Sequence, residues 1–281
     1  MPLGAVAQPM AIPSLPAVPL EPGSQGFSIR AMPLAPGQPV FRRLGDFVCY
    51  VPLQYQHCYI DLGQSFDDYR AKFSSKTRST IARKVKRWAE HCGGAVDWKV
   101  FRSAAEMDEF FALARAVSAT TYQERLLDAG LPDGPEYLAE MKRLAVLDRA
   151  RGFILFDDKR PVSYLYCPIN DGVLIYAYLG YDPTYLKLSV GTVLQWLALE
   201  RIFAERRFRF FDFTEGQSDH KRLFATHTVS CANLFFVRRR VGNLLLLYAH
   251  DRFSYFSGWL GAALDHWGLK TRIRRLLRFG G

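Results

Sequence analysis

The sequence lacks the features that would sort it quickly. Cys49, Cys58, Cys92, Cys167 and Cys231 are odd in number, scattered and without a CxxC spacing, which excludes a disulfide framework and a structural zinc and fits a reducing compartment. The six histidines form no ligand spacing, so no metal is expected. No run reaches the roughly 18 apolar residues of a spanning helix, because Leu244 to Leu247 is soon cut by His250, Asp251 and Arg252.

Acidic residues are missing where bases gather. Between Arg70 and Ala89 stand Arg70, Lys72, Lys76, Arg78, Arg83, Lys84, Lys86 and Arg87 with no acid among them. Solvated faces usually mix signs, so this run reads either as a surface that meets an anion or as a plain basic face. Residues 1–39 lack the means to form regular structure, since they hold nine of the fifteen prolines. They read as a disordered leader, and no positive charge precedes their mildly apolar stretch as a secretory signal would require.

What is present suffices for a folded protein. The chain has 281 residues, 49% hydrophobic and 14% aromatic, enough for a substantial core. Its net charge of +10 favours an anionic partner: a nucleotide cofactor, a nucleic acid or an acidic membrane surface.

The organising stretch runs from Gly180 to Phe224: a loop, an amphipathic run, a short aromatic strand and a polar turn carrying Lys221. Val190, Val193, Leu194, Leu197, Ile202 and Phe203 share one broad face at helical spacing, while Glu200, Arg201, Glu205, Arg206 and Arg207 keep the other wet. Ser189 reads as the N-cap, and Gly191 removes a side chain where the unpaired amides of the first turn point outward. Such a helix start is a ready site for a phosphate or pyrophosphate, and the same two residues also suit a plain capping turn.

Upstream, Cys58 to Leu62 reads as a strand, and Ser65 with Asp68 as a capping box opening a helix striped by Ile81, Val85, Trp88 and Cys92. Val96 to Phe101 alternates like a strand. Ala104 to Ala119 and Glu136 to Arg151 are helical by period, and the polar loop between them offers Tyr122 and Gln123 to a substrate. Gly152 to Phe156, Val162 to Pro168 and Val173 to Leu179 form an antiparallel meander. The strand Phe208 to Thr214 returns parallel to the last of these, because a helical crossover intervenes.

The expected fold class is α+β, or α/β with a mixed sheet, organised as a leader over 1–39, an N-terminal α/β half over 40–150, a core over 151–240 and a basic helical tail over 241–281. In that tail Trp259, Leu260, Ala263, Leu264 and Trp267 make an apolar face, and Lys270, Arg272, Arg274, Arg275 and Arg278 follow without an acid. The composition suits an interfacial helix on an anionic membrane as well as a helix docked on its own sheet.

FSSKTRSTIARKVKRW, GYDPTYLKLSVGTVL and FDFTEGQSDHKRLFAT, with the order of elements around them, resemble the GNAT superfamily of acyl-CoA N-acyltransferases over roughly Val40 to Arg239. More closely they resemble the branch beside cellulose-biosynthesis acetyltransferases and FemAB-type transferases. The resemblance implies a GNAT fold whose acyl-CoA pyrophosphate rests on backbone amides at Ser189, Val190, Gly191 and Thr192. In one departure, Gly191 alone stands for the usual Q/RxxGxG/A loop, which keeps an acyl carrier protein or an aminoacyl-tRNA as alternative donors. Lys221 matches the lysine closing the polar turn of this branch, where the resemblance gives it the tetrahedral intermediate to stabilise.

Acyl transfer to an amine needs an unprotonated amine, a stabilised oxyanion and a proton for the leaving thiolate. Asp212 is the first candidate base, since alternation sets Phe208, Phe210, Asp212 and Thr214 opposite Phe211 and Phe213, and partial burial would raise its pKa; the same placement equally suits a hydrogen-bonded structural aspartate. Glu215 is the second. His220 is the third, because an imidazole titrates near neutrality. Tyr178, or Tyr176 on the same strand face, would protonate the thiolate, and Arg78 and Lys84 join Tyr122 and Gln123 as substrate contacts.

Two acceptors compete. A sphingoid long-chain base, giving a (dihydro)ceramide-type lipid, is favoured by the tails and by the similarity of some bacterial ceramide-forming N-acyltransferases to this branch; an amino sugar or polysaccharide precursor is the other. The expected location is the cytoplasm, with access to the inner membrane face. From another class, the basic run carries the alternative of a nucleic-acid or anionic-membrane binding module without catalysis.

Overall fold

The computed structural model describes residues 10–14, 20–121, 130–216 and 218–266, with side chains described through residue 260. The chain divides into two compact units, Val6–Gln56 with Val229–Gly281, and His57–Thr228.

In the first unit β2 (Phe41–Leu44) and β3 (Phe47–Tyr50) form a tight hairpin in which Leu44 faces Phe47 across Gly45. The φ of 58° at Gly45 lies in the left-handed region, where a glycine carries no Cβ penalty. β3 pairs antiparallel with the last strand, β11 (His227–Arg238), and so does β1 (Gly26–Pro33). Strand β1 corrects the expectation of an unstructured leader for residues 26–33. Its segment GFSIRAMP has its single proline at the end, clear of most of the ladder, and Phe27 stacks on Phe236 with ring centroids 4.7 Å apart. Leu34, Cys49, Val51, Leu234 and Phe236 complete this core.

The second unit is a mixed sheet covered on both faces. Its strands lie in the order β4 (Gln54–Asp61), β10 (Phe210–Asp212), β8 (Val173–Ile175), β7 (Arg160–Asn170), β6 (Ala150–Asp157) and β5 (Trp98–Phe101), with β9 (Tyr178–Tyr181) also on β7. All pairs are antiparallel except β10 with β8, where Phe211 faces Leu174 in the parallel sense expected of a crossover. Alternation along β7 divides its side chains between two cores. Leu165 and Cys167 face α1 (Phe66–Ala71), α2 (Ser75–His91) and α5 (Val190–Glu205), whereas Tyr164 and Tyr166 face α3 (Met107–Ser118) and α4 (Pro135–Val146).

The single helix expected after Ser65 is two. Ser65 caps α1 by accepting from the Asp68 amide at 3.0 Å, and Ser74 starts α2 by accepting from Thr77 at 3.2 Å. The helix expected over Glu136 to Arg151 ends at Val146, and Arg151 instead lies in β6. There its fully buried guanidinium donates to Glu205 at 2.8 Å and Asp148 at 2.7 Å. Glu205, expected on the wet face of α5, is therefore buried, because a carboxylate is needed to satisfy Arg151. That pair pins the C-terminal end of α5 to the sheet.

Candidate active site

The site forms where a strand that reads as continuous is broken. Val173 to Leu179 alternates as one strand, but β8 pairs with both β7 and β10, while β9 pairs with β7 alone. The last rung toward β10 is the Tyr176 amide donating to the Asp212 carbonyl at 2.8 Å. Beyond it the described strands part, and a cavity of about 310 Å³ opens, walled by Tyr164, Tyr176, Tyr178, Tyr181, Thr214 and Lys221.

Lys221 reaches the cavity from α6 (Asp219–Phe224), whose start is capped by Ser218 accepting from the Lys221 amide at 3.2 Å. Its Nζ donates to the Glu215 carbonyl at 2.7 Å, closing the turn on itself. Burial pushes the Lys221 pKa down, opposed by the nearby Cys58, Asp212 and Glu215. Glu215 itself is exposed, next in sequence to Thr214 of the cavity wall.

The start of α5 borders the same cavity. Leu179 and Tyr181 line the cavity and also lie against Gly191, where an added Cβ would come within 3.3 Å and 3.2 Å of them. Gly191 is thus a buried close-approach glycine that lets the helix sit on β9, its missing side chain leaving room for Tyr181 and Leu179. The capping expectation is corrected. Ser189 is left-handed with φ 57°, and its side chain makes no cap; its carbonyl accepts from the Thr192 and Val193 amides at 2.9 and 3.1 Å. The amides of Val190 and Gly191 are those the helix itself cannot satisfy. Arg87 stands beside this start, its guanidinium 3.5 Å from the Lys187 carbonyl.

The candidate bases stand in different surroundings. Asp212 is 2% exposed, its Oδ1 lies 2.5 Å from Nε2 of the equally buried His57 on β4, and the same oxygen accepts from the Thr214 amide at 2.7 Å. It organises the turn beneath the cavity and does not line it. His57 carries no motif in the sequence, and only strand pairing of β4 with β10 puts it there.

His220 is corrected as well. Its Nε2 meets the Gln195 Oε1 at 2.5 Å, and burial, with Lys84 and Lys221 near, pushes its pKa down to about 4 instead of leaving it near neutrality. An imidazole neutral in the fold but protonated below about 6.5 once unfolded makes the unfolded state the greater proton binder between those values. Stability is therefore expected to fall as pH drops from 6.5 towards 4, by up to about 3 kcal/mol from this group. Urea unfolding at both pH values checks this: His220→Gln should narrow the gap, and an unchanged gap would assign the loss elsewhere.

Of the expected substrate contacts, Arg78 turns away, donating to the Phe73 carbonyl at 3.0 Å in its own helix start. Lys84 lies near enough to His220 to depress it. Tyr122 and Gln123 fall outside the described residues. Lys72, another member of the basic run, is structural: its Nζ caps the end of α6 through the Leu223 and Ala225 carbonyls at 2.8 and 2.6 Å. A larger hollow of about 740 Å³ lies at the opposite end of α5, among Gln64, Asp67, Arg70, Glu200 and Arg206. It offers mixed surface charge and no convergent reactive groups. Among the described residues no cluster of three or more His, Cys, Asp or Glu is placed to hold a metal.

A mixed sheet parted beside a helix start, with a lysine in the gap, is an arrangement suited to holding an activated acyl group. Residues 75–222, more than half the chain, match the acetyltransferase (GNAT) domain family. The chain belongs to that family, and residues 75–222 form its GNAT-type domain.

Solved structures similar to it include the C-terminal (DUF2156) domain of a chain assigned as a lysylphosphatidylglycerol synthetase from Agrobacterium fabrum, 10% identical with TM-score 0.49 over 73% of this chain and 65% of that one. The L-PGS of Bacillus licheniformis is 14% identical with TM-score 0.46 over 73% and 67%, and FemX 12% identical with TM-score 0.47 over 68% and 64%. This chain spans about two thirds of the length of each. No curated protein matches it. At such similarity no residue role is carried across.

Proposed function

We propose that this protein is an N-acyltransferase that moves an acyl group from an acyl-CoA thioester to a primary amine, with a sphingoid long-chain base as the acceptor to test first. The observation that carries the reading is Lys221, drawn from solvent at the wall of a cavity that also borders the start of α5.

In this reading the Val190 and Gly191 amides take the pyrophosphate, flanked by Ser189 and Thr192, and Arg87 adds positive charge. The amine nitrogen attacks the thioester carbonyl carbon, and the Lys221 ammonium offsets the charge that gathers on oxygen. When the C–S bond breaks, Tyr178 gives its phenolic proton to the thiolate and recovers one from the new ammonium. Exposed Glu215 relieves the incoming acceptor of its first proton. Asp212, buried against His57, holds the turn and moves no proton.

Support for a lipid acceptor comes from the aromatic, basic tail, and an amino sugar is the competing substrate. Thiol release from acetyl-CoA and a long-chain acyl-CoA, each offered with sphinganine in detergent or with glucosamine, separates them when the product is weighed by mass spectrometry. Release with the long-chain donor and sphinganine is expected. Acetyl transfer to the sugar would replace the lipid reading, and silence in every pairing would overturn CoA as the donor.

A further inference from the structure

We propose that the outward face of α7 (Val241–His266) docks on an anionic membrane surface and lies in its interface. At about 3.6 residues per turn, Asn243, Leu244, Leu247 and Asp251 share one arc of the helix. Those are the half-buried positions. The contacts confirm the docked side: the Tyr248 and Phe41 rings are 4.7 Å apart at their centroids, and the Tyr50 hydroxyl lies 2.7 Å from His250 Nδ1, all within the first unit.

The opposite arc carries Leu245, Leu246, Phe253, Phe256, Trp259 and Leu260, and nothing among the described residues covers it. Leu246 is 70% exposed, Phe253 71% and Trp259 59%. Isolated exposed leucines need no explanation, but a contiguous aromatic and aliphatic face does.

Several observations choose the occupant. The face spans about half the circumference, broader than the two-in-seven seam through which a helix pairs with a copy of itself. Trp259 and Tyr255 have the apolar body and polar tip that suit the headgroup boundary. Charge complements anionic lipid. Arg238, Arg239 and Arg240 immediately precede the helix, and Arg252 lies within the apolar arc, where its stem can run beside the rings while the guanidinium reaches phosphate. Between residues 238 and 260 the one acid is Asp251, a half-buried position on the inner arc, and in the sequence beyond, Lys270, Arg272, Arg274, Arg275 and Arg278 follow with no acid between them. No described helix is long and apolar enough to cross a membrane, so α7 lies on the surface.

The inference is independent of the catalytic reading. Its test is co-sedimentation of the full chain with phosphatidylcholine vesicles made with or without phosphatidylglycerol. Binding is expected only with phosphatidylglycerol present. It should weaken at least about tenfold in a variant combining Phe253→Ser, Phe256→Ser and Trp259→Ser. Among the described residues these side chains make one ring contact, Phe256 with Trp259, so the fold is not at stake. Thiol release without lipid reads the catalytic proposal separately.

Equal binding to neutral vesicles, or no loss in the variant, would overturn the proposal. So would a wild-type dimer in lipid-free gel filtration that the variant turns into a monomer, which would make the face a contact between copies.

Discussion

Lys221→Ala is expected to lower kcat by about 10²–10³-fold, the cost of removing one preorganised charge aimed at a developing oxyanion. The fold should survive, because among the described residues the Lys221 ammonium makes one hydrogen bond, to the Glu215 carbonyl, and a bond from a charged group is worth about 1.5–3 kcal/mol net. Steady-state kinetics and thermal unfolding on the same sample separate these effects. A group that acts in the transition state lowers kcat and kcat/KM together, whereas one that only binds raises KM. Unchanged turnover in a folded variant would remove Lys221 from the mechanism. Lys221→Arg should recover part of the rate, since the charge persists but the guanidinium plane does not fit where a compact ammonium sat.

Asp212→Ala should destabilise the protein by about 3 kcal/mol, because it strips a buried carboxylate from His57 and from the Thr214 amide together. Urea denaturation reads this directly, and a variant as stable as the parent would mean that the pair is structurally idle. Asp212→Asn discriminates further. The amide oxygen still accepts from Thr214, so the variant should remain folded and keep most of its turnover. Abolished activity in a fully folded Asp212→Asn protein would restore Asp212 as the base. Glu215→Gln is the counterpart, and its loss of rate should be largest where the acceptor amine is most protonated.

The sequence by itself determined the elements that local periodicity and capping specify. The 190–205 helix is legible because Val190, Val193, Leu194, Ile202 and Phe203 recur at helical spacing, and these are the residues the core buries. The parallel return of β10 onto β8 follows from an intervening crossover helix, and the GNAT-type fold follows from that order. Lys221 was legible as the lysine closing a polar turn.

What only the tertiary structure decided concerns pairs distant in sequence. His57 and Asp212 stand 155 positions apart and meet through β4 and β10. His220 is a histidine like any other until Gln195 and two lysines surround it, and only burial then turns its pKa away from neutrality. Gly191 reads as a phosphate glycine, but its need is set by Tyr181 and Leu179 of another element. The break between β8 and β9 is invisible in the sequence, because each half keeps a period of two while the phase slips by one residue: Tyr176 packs with Leu174 on one core and Tyr178 on the other, which corrects the expectation that the two tyrosines share a strand face. Local sequence fixes the dihedral preferences and faces of each segment; which faces meet depends on long-range pairing, and that pairing builds the site.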